Sequence, residues 1–287
     1  SQELDENNYY KSGYWNHGTT IFQVNDEGDV IYGIYGHINS GYYEGSNGLL
    51  IKKYSASSNE NNTVMFIPMV DSYECIRLKG FNNRYTSSNG VLYFQYGDTV
   101  YSIDTNGRHY AIVVEGIHQE SFGFSQNKQY FAWQEKADTR ENKKLIIMNF
   151  ETGLTKEINS NDQERIKLIG FIRNDIAFGF IRETDIVTNL DLTTSIPIRL
   201  LEIREMDNNN LLKYEKSGQC LSNPEITSNR IGFDLVRVNF FKGTPISKSK
   251  NIIEPVGSDF ILHSDPIIEA ASDITVTTND EDYIISY

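Results

Sequence analysis

An all-β fold is what these 287 residues predict, a β-propeller of four-stranded antiparallel blades, and three observations carry the prediction. The first is composition: 33 Ile, 13 Val, 18 Tyr and 15 Phe stand against 7 Ala and 17 Leu, a balance that favours pleated strands over helices. The second is punctuation, because short runs of alternating apolar residues are separated by Gly, Asn and Asp clusters. The third is recurrence: second strands of successive repeats begin near Asp29, Val91, Tyr130, Ile176 and Ile231, a mean step of about 50 residues, as propeller blades require.

Taken in order, residues 1–18 (SQELDENNYYKSGYWNHG) are polar with interspersed aromatics and follow neither period. They read as an N-terminal tether that docks by Tyr14 and Trp15, ahead of one propeller domain over 19–287. The first repeat runs Thr19 to Val24, the turn NDEG, DVIYGIYGH, a long loop, LLIKKYS, a turn and TVMFIPM. The second holds VLYFQY, a two-residue Gly97-Asp98 hairpin turn, TVYSI, the Asn106-Gly107 turn and HYAIVV. The third, Ser121 to Ile158, is the clearest: SFGFS, the turn QNK, QYFAWQ, the loop ADTREN, KLIIMNF, the turn ETG and LTKEI. KLIGF, RND, IAFGFI, an insertion, IPIRLLEIRE, MDNNN and LLKYEK make a fourth. EIT, SNR, IGFDLVRVNFF, another insertion and NIIEPV make a fifth.

Beyond Ser258, Asp265 and Pro266 open a helical turn that runs to Ala271, with Asp as N-cap and Pro at the first helical position. ITVTT and YIISY then flank NDED as a further hairpin. That hairpin either completes a closing blade with Thr19 to Val24 or belongs to a sixth blade. Meanders stacked side by side bury both faces of every sheet and leave only short edges. Five blades are visible and six or more are expected in the complete fold. A two-sheet β-sandwich is the structural alternative, since it too yields many short alternating strands.

Charge narrows the function classes. With 26 Lys and Arg against 39 Asp and Glu, the net charge is −13, which argues against nucleic acid and anionic membrane surfaces as partners. No apolar run approaches the roughly 18 residues of a membrane span. Cys75 and Cys220 are too few for a disulfide framework and are read as buried thiols. The chain opens on Ser-Gln-Glu, which leaves room upstream for a secretory signal or a lipid anchor.

The third repeat carries a resemblance. Phe124-Ser125-Gln126-Asn127-Lys128-Gln129-Tyr130-Phe131-Ala132-Trp133, followed by Leu145 through Gly153, resembles the repeat of TolB-type propellers. The N-terminal propeller of dipeptidyl peptidase IV-like proteins carries a related repeat, with a Ser-Pro-Asp-Gly-Lys turn and a later Asp-x-x-Thr-Gly turn. Here Gln126 and Asn127 replace Pro and Asp, and Lys128 stands where Gly is usual. One repeat matches well and the others match in outline. The whole is also similar to extracytoplasmic proteins of low-GC Gram-positive gut bacteria. The resemblance implies a propeller and an exported, secreted or cell-surface location. It carries over no catalytic residue, because the peptidases keep their hydrolase machinery in a separate α/β domain for which this chain has no room.

Candidate chemistry is sparse. Gly123-Phe124-Ser125-Gln126-Asn127 starts like a nucleophile elbow but lacks the final Gly and sits on a strand-to-strand turn. Ser247-Lys248-Ser249-Lys250 satisfies Ser-x-x-Lys by spacing without the helix that would orient it. Asp26-Glu27-Gly28-Asp29 and Asn279-Asp280-Glu281-Asp282 cluster carboxylates without the spacing of a calcium loop, and read as solvated turns. His17, His37, His109, His118 and His263 are scattered. No catalytic residue, metal site or cofactor is predicted from these patterns.

One feature stands out. Loops joining second to third strands emerge at one end of a blade, and four of the five are long: Ile38 to Gly48, Glu135 to Asn142, Arg182 to Ser195 and Lys242 to Ser249. Rigid scaffolds tend to carry function on such loops, so this is the predicted binding face, with Tyr42, Tyr43, Glu44, Asp138, Arg140, Arg182, Glu183 and Asp185 as contact groups. The function predicted is a non-enzymatic extracytoplasmic binding module for a protein or glycan partner at the cell envelope. The alternative is a glycoside hydrolase or lyase using paired carboxylates among Glu44, Glu135 and Asp185. A regulatory or structural partner of an envelope protein is a third class.

Overall fold

The structure is a computed structural model that describes residues 16–107, 109–188, 194–206, 210–227, 230–236, 250–256, 259–264, 275–279 and 282–286. Two compact units divide the chain, the first comprising Ser1–Gly116 with Phe150–Thr152, the second Ile117–Asn149 with Gly153–Tyr287.

In the first unit, β1 (His17–Val24), β2 (Val30–His37), β3 (Asn47–Ser55) and β4 (Glu60–Pro68) form one sheet in chain order. A short helix α1 (Tyr73–Lys79) leads into β5 (Phe81–Thr86), β6 (Val91–Tyr96), β7 (Thr99–Asp104) and β8 (His109–Val114), again in chain order. Neighbouring strands are antiparallel throughout. Between the two sheets lies one core: Phe22, Leu49 and Ile51 meet Phe81, Leu92 and Phe94. The Phe94 ring, fully buried, sits 5.1 Å from Phe22 and 5.6 Å from Phe81. Alternation along β3 sends Leu49 and Ile51 into this core, and Leu50 and Lys52 to the opposite face.

In the second unit, β9 (Phe122–Phe124), β10 (Tyr130–Gln134), β11 (Lys144–Asn149) and β12 (Thr155–Asn159) make one sheet. The next contains β13 (Glu164–Ile172), β14 (Asp175–Arg182), β17 (Leu200–Arg204) and β18 (Asn210–Glu215), with a two-residue-per-strand hairpin, β15 (Val187–Thr188) and β16 (Thr194–Ser195), inserted between β14 and β17. β19 (Cys220–Thr227), β20 (Arg230–Val236), β21 (Lys250–Val256) and β22 (Asp259–Ser264) form another sheet, and β23 (Thr275–Asn279) pairs with β24 (Asp282–Ser286) alone.

The middle sheet of this unit packs on both faces. Phe178 of β14 joins Ala132, Leu145 and Ile147, while Ala177 and Ile181 join Leu221, Ile231 and Phe233. Burial on both faces explains why IAFGFI reads as a continuous apolar run instead of alternating.

This succession of four-stranded antiparallel meanders fits a multi-blade β-propeller. A two-sheet sandwich is ruled out, since the five four-stranded sheets are separately hydrogen-bonded. The ITVTT and YIISY hairpin forms as predicted. Among the described residues it does not complete a blade with Thr19–Val24, which is the first strand of the β1-β2-β3-β4 sheet. The helical turn predicted over 265–271 lies outside the described residues.

Besides the β15–β16 hairpin, which forms within the segment Arg182 to Ser195 read as a loop, three elements differ from the sequence-based expectation. Helix α1 is capped by the Ser72 hydroxyl, which accepts from the Cys75 amide, and ends at Gly80, φ 63°. Strand β5 carries a bulge with Asn83 at φ 48°, so turn chemistry inside the strand masks its pattern. Strand β22, pairing with β21, supplies the fourth strand that the fifth repeat lacked.

Candidate functional site

The Ile38–Gly48 connection is built as a fixed loop. The Ile38 amide donates to Ser46 O and the Gly45 amide returns to Ile38 O, extending the β2–β3 ladder beyond His37 and Asn47. Gly41 and Gly45, both at φ 84°, make the reversals that a Cβ-bearing residue rarely adopts. At the base, Asn47 Nδ2 donates to the carbonyls of Met69 and Asp71, while Ile38 is buried beneath.

Two tyrosines crown the loop. The Tyr43 ring stacks on Phe66 of β4 at 4.6 Å and 21°, and Tyr42 meets Tyr43 edge-on at 5.0 Å. Tyr42 remains 95% exposed. Large aromatics at that exposure leave most of their area in water, a state that ligand contact relieves. Between the loop and the β3–β4 sheet lies a groove of about 560 Å³, lined by Ser40, Tyr42, Tyr43, Lys52, Thr63 and Phe66 among others, within the volume range of ligand pockets. A bulge shapes it: Ile51 pairs with Met65 and Lys52 with Thr63, which leaves Val64 as the extra residue of β4. Glu44 is exposed on the same loop and does not line the groove.

The second unit holds the other predicted contact groups. Asp138 and Arg140 satisfy each other: Arg140 Nε donates to both carboxylate oxygens, at 3.0 and 2.9 Å, and its amide donates to Oδ1 at 2.8 Å. These bonds hold the Asp138 carboxyl below the usual range. The two segments 135–142 and 182–185 meet at Arg165, whose Nε donates to the Arg140 carbonyl at 2.8 Å and whose Nη2 pairs with Glu183 at 3.0 Å. Arg182 is exposed, whereas Asp185, 3% exposed, is withdrawn from surface contact. Burial, then the Asp185 charge, pushes the Cys220 thiol up to about 11, which leaves it protonated and unreactive at neutral pH. The Lys242 to Ser249 loop lies outside the described residues.

Several sequence candidates are absorbed by the fold. Ser125 is fully buried, its Oγ donating to Asn127 Oδ1 at 2.7 Å and accepting from the Tyr130 amide at 2.9 Å, so it braces a turn. Lys128 occupies the left-handed region, φ 61°, where the resembling repeats keep Gly. In the Asp26-Glu27-Gly28-Asp29 turn, Asp29 Oδ1 accepts from the Ala56 amide at 2.9 Å. Glu135 pairs with Lys144 at 3.5 Å. Cys75, expected buried, is exposed, because α1 turns only Ile76 into the core. Among the described residues no group of three or more His, Cys, Asp and Glu side chains is placed to hold a metal ion, and no helix is long and apolar enough to cross a membrane.

No family model and no curated protein matches the chain. Among solved structures, the chain is similar to an oligogalacturonate lyase in complex with manganese, at 9% identity over 91% of this chain and 69% of that one, with a TM-score of 0.36. It is similar to YjhT at 10% identity, covering 85% of this chain and 83% of that one, TM-score 0.34. A post-proline cleaving enzyme from Rickettsia typhi aligns at 9% identity and a TM-score of 0.38, covering 88% of this chain but 38% of that chain's length.

Proposed function

We propose that this protein is a binding module that takes a saccharide in the groove between the 38–48 loop and the β3–β4 sheet. The observation that carries the proposal is the Tyr42–Tyr43 pair, one ring locked on Phe66 and the other 95% exposed at the lip of a groove of about 560 Å³. Sugar rings present apolar C–H faces to aromatic planes and hydroxyls to polar tips, and a tyrosine supplies both with only two rotatable bonds to freeze. Ser40 and Thr63 add hydroxyls along the wall. The fixed backbone of the loop lowers the ordering cost of binding.

Binding is favoured over hydrolysis at this groove because, among the described residues, no Asp or Glu lines it, whereas glycoside hydrolysis needs a carboxyl pair about 5–9.5 Å apart. An extracytoplasmic location, with the partner a glycan of the cell envelope, belongs to the same proposal and is supported by the resemblance of the Phe124–Gly153 repeat to exported TolB-type propellers.

Titration calorimetry against a panel of neutral and acidic oligosaccharides tests the function. Tyr42→Ala is expected to weaken binding about tenfold and Tyr42→Phe to retain most of it, as for an aromatic anchor. A protein that binds no member of the panel, or a Tyr42→Ala variant with undiminished affinity, removes the groove from consideration.

A further inference from the structure

We propose that the saccharide is an acidic one, with a carboxylate seated on Lys52. This inference rests on the groove being a saccharide site and names the class it takes.

Among the described residues, Lys52 is the only charged one that lines the groove. Among the described residues Lys52 is in no ion pair, as is also true of Lys53, Lys128 and Lys167, but of these only Lys52 lines the groove. In a chain with 39 acidic and 26 basic side chains, the strand register leaves this half-buried lysine without a carboxylate directly opposite it. Lys52 stands opposite Tyr32 on β2 and Thr63 on β4, so its cross-strand neighbours carry hydroxyls and no charge. The bulge at Val64 displaces β4 beside it, and the Tyr42–Tyr43 wall approaches from the loop.

A lysine lining a groove of aromatic and hydroxyl groups offers a point charge that an anion completes through charge-assisted hydrogen bonds. The net charge of −13 repels anions from the protein at large, so selection for an acidic ligand needs a local cation. Lys52 is placed to provide it. A uronic acid fits both features, its ring face against Tyr42 and its carboxylate toward Lys52.

The test uses a hexuronic-acid trisaccharide and the neutral hexose trisaccharide of the same linkage, titrated into the wild type, Lys52→Met, Lys53→Met and Tyr42→Ala. Lys52→Met keeps the aliphatic stem and removes the charge. Lys53, the next residue along β3, does not line the groove and serves as a control. Far-ultraviolet circular dichroism and the thermal midpoint establish that each variant is folded.

The wild type is expected to prefer the uronate about tenfold, the scale of a hydrogen bond to a charged group. Lys52→Met should abolish that preference while leaving affinity for the neutral sugar, and Lys53→Met should preserve it. Tyr42→Ala should weaken both ligands alike. Equal binding of the two sugars, or a preference that survives in Lys52→Met, overturns the acidic assignment and leaves the saccharide site standing. Failure of both sugars to bind overturns the site itself.

Discussion

At the scale of single residues, the best-connected side chains serve architecture, and the candidate contacts are the ones left over. Asp71 shows the first kind: it accepts from the Tyr96 hydroxyl at 2.6 Å and from Lys79 Nζ at 2.7 Å, and Lys79 lies 5.2 Å from the centre of the Tyr96 ring. The Lys79 and Tyr96 bonds hold the Asp71 carboxyl below its ordinary range, and the Asp71 bond raises Lys79. A depressed carboxyl contributes stability that is complete above about pH 4 and lost as pH falls through the lowered value. A raised ammonium contributes up to about pH 10 and loses its part as pH rises through the raised value. Tyr96→Phe is therefore expected to cost about 1 kcal/mol in urea unfolding at pH 7 and to narrow the acid side of the stability plateau. An unchanged acid midpoint would show that the hydroxyl is idle. Tyr42 and Tyr43 were legible in the sequence as aromatics on a long loop. Lys52 was not, because in LLIKKYS it looks like any solvent-facing strand lysine, and only the loop folded beside it makes a groove there.

At the scale of elements, strands announced themselves wherever alternation ran for five or more residues between turn signals, and escaped notice where something local broke the pattern. β10 and β11 pair in the register that QYFAWQ and KLIIMNF suggest, from Tyr130 opposite Asn149 to Gln134 opposite Leu145. β5 was hidden because Asn82 and Asn83 carry turn character within it, and Asn83 does adopt a positive φ at the bulge. Helix α1 was hidden because seven residues with one buried side chain, Ile76, display no helical period. A helix so short depends on its ends. Ser72→Ala, which removes the acceptor for the Cys75 amide, should lower stability by about 1 kcal/mol, read as a shift in the denaturation midpoint with unchanged slope. Recovery of that loss in Ser72→Asp would confirm the cap. The segments 135–142 and 182–185 were legible as long loops, but their meeting at Arg165 was not. That residue lies on β13, in the next repeat from Arg140, and reaches it by side-chain length alone.

At the scale of the whole molecule, charge and repetition are the properties that add up over the chain. A net charge of −13 imposes self-repulsion on the folded state that salt screens over a Debye length of about 10 Å at 0.1 M. Raising NaCl from about 20 mM to about 300 mM at pH 7 is expected to raise the thermal midpoint by about 2–4 °C, measured by calorimetry. A fall would mean that local ion pairs such as Arg165–Glu183 outweigh the global field. Composition and a period of about 50 residues by themselves determined that the chain is all-β and folds as successive four-stranded meanders, because alternation and turn residues act between near neighbours and repeat with each blade. Which loop residues face a groove, which carboxylates are spent on internal pairs and which cation lines that groove was decided only in the tertiary structure. Those outcomes depend on contacts between strands and loops distant along the chain, such as Tyr43 on Phe66 and Lys52 opposite Thr63, whose partners no local pattern specifies.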